Sequence, residues 1–182
     1  MNTINWRLLL VHFLATIILI AAARELIFYF TLEDFRAFQD AMKESNNSPL
    51  IATGTGKYRT MTIGELAYKP LYYPIYASLT TLLISFSISL TYALKRNISW
   101  MNSILVLIAG FLFFRIGIYK TEIGSTIFYS FGHLFKHLGE TFYYLSNFAI
   151  LLVIGLTLFF SPWTRNLIQS EQRPTPGNEE GE

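Results

Sequence analysis

The chain has 182 residues, 52% of them hydrophobic and 14% charged, where a soluble domain carries about 25% charged residues; with a mean hydropathy of +0.38, its main solvent is expected to be lipid. A net charge of +2 excludes the dense basic surface that nucleic-acid binding requires. The absence of cysteine excludes structural disulfides, thiolate metal sites, haem attachment through Cys-x-x-Cys-His and cysteine nucleophiles.

Four apolar runs set the expected fold class: an all-α polytopic membrane protein, a four-helix transmembrane bundle with a mostly external first loop that carries a short amphipathic helix. The spans fall at about 8–30, 71–94, 100–119 and 143–160, within a transmembrane domain of residues 1–165. The first run is long enough to cross the ~30 Å hydrocarbon core. Arg7, the apolar stretch and Ala21-Ala22-Ala23 imitate a secretory signal, but the run resumes through Leu26 to Phe30, so a retained helix is expected. Near its far end stand Arg24 and Glu25, charges that must snorkel, pair or face a bundle interior. His12, near the opposite end, is expected to be a packed or interfacial side chain.

The external loop spans about 31–70. Thr31 and Asp34 have capping-box spacing, and Leu32, Phe35, Phe38 and Met42 recur at helical spacing, which predicts an amphipathic helix lying on the bilayer or packed over the bundle. Asn46-Asn47-Ser48-Pro49 breaks it. Gly54-Thr55-Gly56-Lys57 lacks the spacing and the Ser/Thr of a phosphate loop and is expected to be a turn, and Thr62 to Glu65 can cap another helical turn. The second span then opens at Lys69-Pro70 with Pro74 in its first turn, where a missing amide is tolerated.

Along that span Ser78, Thr81, Ser85, Ser89 and Tyr92 follow offsets of 3, 7, 11 and 14, one face of a helix, expected to look inward and pack against a neighbour. Lys95-Arg96-Asn97-Ile98-Ser99 is a short basic connection, which places that end, and with it both termini, on the cytoplasmic side. Trp6, Trp100 and Trp163 then share the cytoplasmic interface, and Tyr72, Tyr73, Tyr76, Tyr119, Tyr143 and Tyr144 the external one. Residues 166–182 form a polar, disordered cytoplasmic tail.

Two constellations are candidates for chemistry. Arg24, Glu25 and Arg115 fall at similar depth, so Glu25 can pair with Arg115; alternatively, two arginines around one glutamate form a cationic site for a lipid phosphate or a carboxylate. His133, His137, Glu140, Tyr144 and Asn147 follow offsets of 4, 7, 11 and 14. On a continuous helix the first three can supply ligands to zinc or non-haem iron, whereas an interfacial helix over about 124–138, broken at Gly139, needs no ligand to explain it. No cofactor is specified and none is expected.

No motif carries residue identities from a known family, although the layout is similar to that of small four-span proteins that accompany bacterial envelope-processing and sorting enzymes. The expected function is therefore a non-catalytic accessory or subunit protein of a bacterial inner membrane, multi-pass in the lipid bilayer and joined to a membrane-protein partner or to further copies of itself. The alternative is a small membrane enzyme, or a cofactor- or lipid-binding protein, using the external polar cluster.

Overall fold

The structure, a computed structural model, describes residues 4–44, 62–117 and 122–169, and among these every regular element is helical. The loop over 45–61 with its Gly54 to Lys57 turn, the end of the expected third span at 118–119 and the tail from 170 lie outside the described residues.

Helix α1 (Trp6–Phe30) begins at Asn5, whose side-chain oxygen accepts the Leu8 amide hydrogen at 2.8 Å, one of the donors a first turn leaves without a partner. Its buried residues, among them Leu8, Val11, Ala15, Ile17, Leu19, Ile20 and Ala22, occupy more than one side, as in a helix enclosed by others. Three long helices pack on it: α3 (Ile63–Lys95), α4 (Met101–Ile116) and, most extensively, α6 (Glu140–Phe160). Gly155 permits the α6 approach, since a Cβ there would lie 2.6 Å from Leu19 Cδ2. Ile17, Ala21, Ala22 and Leu151 pack together at the centre, and Ala15, Leu19 and Phe159 form a second cluster.

α3 begins earlier than expected. Thr62 and Glu65 form a complete capping box, and Leu66 is buried against Ala41 of α2 (Leu32–Glu44), which fixes the first turns before the prolines are reached. Pro70 and Pro74 therefore sit inside the helix and deprive Leu66 and Pro70 of their usual amide donors. Tyr68, Tyr72 and Tyr76 stack along one side of this segment, ring centroids 5.3 and 6.4 Å apart. The amphipathic α2 lies over the start of α3, joined also by Lys69 Nζ to Asp34 Oδ1 at 3.3 Å.

Chain turns between α3 and α4 are tight, with the Ile98 amide donating to the Ala93 carbonyl at 2.9 Å and Leu8, Ala93 and Ile98 buried together. α4 ends at Gly117 in the left-handed region, φ 76°. The expected interfacial element over 124–138 is α5 (Glu122–His133) followed by a 3-10 turn at Lys136–Leu138. α5 does not stand apart from the bundle: Phe128 joins the central cluster with Ile17 and Leu151. A short helix, α7 (Pro162–Gln169), follows α6.

α1, α3 and α6 are long and apolar enough to cross a membrane, with mean hydropathies of 2.1, 1.5 and 1.9 over their best windows. α4 is apolar but has 16 residues, a rise of about 24 Å against a ~30 Å core.

Asn147 clasps α5 to α6. Its Nδ2 donates to the Phe128 carbonyl at 2.8 Å and its Oδ1 accepts from the Gly132 amide at 3.2 Å, so one fully buried carboxamide serves two backbone groups a helical turn apart. The Asn147→Leu variant strands both, and is expected to lower stability by about 1–3 kcal/mol, measured by thermal or denaturant unfolding in mild detergent. Unchanged stability would show that the α5–α6 hairpin does not depend on Asn147.

Candidate functional site

Glu25 is the most deeply buried charge of the described fold, 1% exposed on the face of α1 that meets α6. α1 carries it there because the small residues Ala21 and Ala22, one turn earlier, bring α5 and α6 close. Its carboxylate lies against Asn147 and Arg24, and its Oε2 has no hydrogen-bond partner. Glu25 borders a recess of about 250 Å³ walled by Phe28, Phe35, Tyr129, Tyr143 and Tyr144. The walls come from four helices, and the Tyr143 hydroxyl is anchored by donating to the Tyr129 carbonyl at 2.9 Å. At the rim Arg36 of α2 pairs with Glu140 of α6, both well exposed. That hydrogen bond with Glu140 holds the Arg36 guanidinium above its ordinary pKa.

The expected partner of Glu25 is not there. Arg115 is exposed and forms no ion pair with it. The reason is helical phase: Val106 and Gly110 face the bundle, and Arg115, five residues past Gly110, is turned about 140° away at ~100° per residue. Arg24 instead lays its guanidinium over the Phe28 and Phe114 rings at 5.9 and 5.7 Å while remaining the cation nearest Glu25. The doubly cationic site therefore does not form, and the recess is acidic and aromatic, the opposite sign.

The histidine stripe is also divided. Gly139, at φ 114°, and the 3-10 turn before it break the helix, so His133 and His137 lie on different elements and Glu140 opens a third. Among the described residues no three His, Cys, Asp or Glu side chains gather to hold a metal. His133 is exposed and packs edge-on to Tyr143 at 5.3 Å, His137 is exposed, and Glu140 is engaged with Arg36. Only Tyr144 and Asn147 of that stripe reach the Glu25 neighbourhood.

On α3, Ser78, Ser85 and Ser89 are buried while Thr81 and Tyr92 are half-buried. Ser78 donates to its own Pro74 carbonyl, and Ser89 donates to Ser103 of α4 at 3.1 Å. His12 is a polar member of the core that its sequence position does not reveal: its Nδ1 lies 2.9 Å from Ser89 Oγ, and its own carbonyl accepts the Thr16 hydroxyl. This serine and histidine are not a catalytic dyad, because Ser89 is fully buried and His12 Nε2 has no orienting partner.

Comparison with known proteins found no matching family model, curated protein or solved structure.

The phase of α4 makes a double-mutant cycle decisive. Glu25→Gln and Arg115→Gln are expected to change stability additively, to within about 0.5 kcal/mol, since the two side chains share no contact. Denaturant titration of the two single variants and the double variant in detergent checks this, and a larger coupling would place Arg115 against Glu25.

Proposed function

We propose that the protein is a non-catalytic subunit or accessory factor of a larger membrane assembly, a four-span bundle of a bacterial inner membrane with both termini cytoplasmic. It acts through a membrane-protein partner, for example an envelope-processing or protein-sorting enzyme. The observation that carries this reading is the Glu25 recess. Burying a carboxylate with one oxygen unbonded is costly, and a cation entering between the aromatic walls offsets that cost by ion pairing and by cation–π attraction. A Lys or Arg side chain of a partner has the size and charge for this space.

The fourth span of the proposal is α4. The basic connection Lys95 to Ser99 supports the orientation, because short Lys/Arg-rich loops stay cytoplasmic. The recess, near the far end of α1, then opens on the external side.

A photo-crosslinking residue in place of Phe35, at the recess wall, is expected to give one discrete adduct in native membranes. The adduct should be lost with Glu25→Gln and kept with Arg115→Gln. Recovery solely as an uncrosslinked monomer, in several mild detergents, would overturn the reading. Orientation has its own check: reporters fused after Arg165 or within Lys95 to Ser99 are expected to read cytoplasmic and one within Asn46 to Ser48 external, and external activity from the Arg165 fusion would reverse the bundle.

A further inference from the structure

The opposite end of the bundle carries a second feature, independent of the Glu25 recess. α3 and α6 both pack on α1 rather than on each other, and near the Lys95 end a cleft of about 700 Å³ opens between them. Its walls are mainly Leu83, Ile84 and Ile88 of α3 and Phe159 and Phe160 of α6, and the hydroxyls of Ser87 and Thr91, also on the wall, are turned onto carbonyls of their own helix. Its mouth carries Lys95, Arg96 and Arg165, all exposed, and among the described residues no carboxylate forms an ion pair with any of them. His12 and Tyr92 lie at the floor, where His12 Nε2 and the Tyr92 hydroxyl are buried without hydrogen-bond partners.

Largely apolar walls with three uncompensated cations at one end match an amphiphile with an anionic head. Ser89 Oγ bonds both Ser103 Oγ and His12 Nδ1, and the His12 ring packs edge-on to Tyr92 at 5.3 Å, which fixes the inner end of the cleft. We infer that this cleft is a binding site for an anionic glycerophospholipid of the adjoining leaflet, its phosphate held by Lys95, Arg96 and Arg165 and one acyl chain lying between α3 and α6. The cationic mouth discriminates by charge, and the cleft length admits chain as well as head. Basic pockets between membrane helices recognise anionic headgroups in this way.

The full chain, purified in a neutral detergent, is titrated with phosphatidylglycerol or phosphatidylcholine of matched chains, and retained lipid is counted by native mass spectrometry. Phosphatidylglycerol is expected to bind at least about tenfold more tightly, a preference that three cations near an anionic head readily supply. The triple variant Lys95→Gln, Arg96→Gln, Arg165→Gln should erase the preference, while Arg115→Gln, at the other end, keeps it. Ser87→Trp, which fills the cleft, should reduce retention of both lipids. Equal binding of the two lipids by the unaltered protein overturns the inference without recourse to any variant. Competition by free glycerol 3-phosphate at concentrations equal to the lipid overturns it too, since the site would then be one for a soluble anion.

Discussion

The fold depends on the enclosure of α1. More than half of its central window is buried, 56%, against 28% and 22% for the windows of α3 and α6, so the other two long helices each give one side to α1 and the rest to their surroundings. An enclosed helix cannot send its polar side chains to lipid headgroups unless they lie at its ends, and His12, Thr16 and Glu25 must be accommodated between neighbours. Thr16 resolves this within its own helix, through the His12 carbonyl, and His12 across to α3, through Ser89. Glu25 is left half-resolved, with one oxygen unbonded. The neighbours are admitted by small residues, Ala15 and Ala22 on α1 and Gly155 on α6, because between helices in lipid close van der Waals contact replaces the hydrophobic effect as the source of cohesion.

The polar groups so placed are not spread evenly. One set gathers where α5 folds back on α6 and the other where α3 and α6 diverge. At the first, Asn147 spends both ends of its carboxamide on α5 backbone, which holds Tyr129 and Tyr143 in register across the hairpin. At the second, α3 and α6 meet chiefly through α1, with His12 between Tyr92 and Phe159, and the cleft lies beyond that contact. A single enclosed helix thus organises an acidic, aromatic recess near one end and a cationic, greasy cleft near the other.

Much of the helical layout was legible in the sequence, because length, hydropathy and period speak directly about helices. The hydroxyl offsets on α3 depend only on 3.6-residue periodicity, and the positions they pick out include the buried Ser78, Ser85 and Ser89. The site was less legible. Arg115 shares a depth with Glu25, but depth says nothing about azimuth, and the face of α4 that turns inward is set by Gly110 meeting Leu82 and Thr16, a tertiary fact. The histidine stripe failed at Gly139, where a backbone with φ 114° resets the helical phase between His137 and Glu140. α3 runs through the two prolines that open the expected span, because the Thr62–Glu65 capping box, itself legible in the sequence, and the Leu66–Ala41 contact upstream outweigh them. His12 is packed, as its place near the end of an apolar run allows, but its partner is not legible there, since Ser89 and the Ser103 behind it come from two other helices.

The length of α3 has a geometric consequence. Its 33 residues rise about 50 Å, and to lie wholly within a ~30 Å hydrocarbon layer it would have to tilt by more than the 0–40° that membrane helices adopt. In a bilayer, part of it must therefore extend beyond the hydrocarbon layer. The stacked Tyr68, Tyr72 and Tyr76 are suited to the level at which it would emerge, since amphipathic rings settle at headgroups and the roughly 20 residues from Tyr76 to Lys95 suffice to cross. In a bilayer, the turns before that level, from the Thr62 cap onward and braced by α2, would stand at or above the headgroups and present a raised helical post rather than a flat surface.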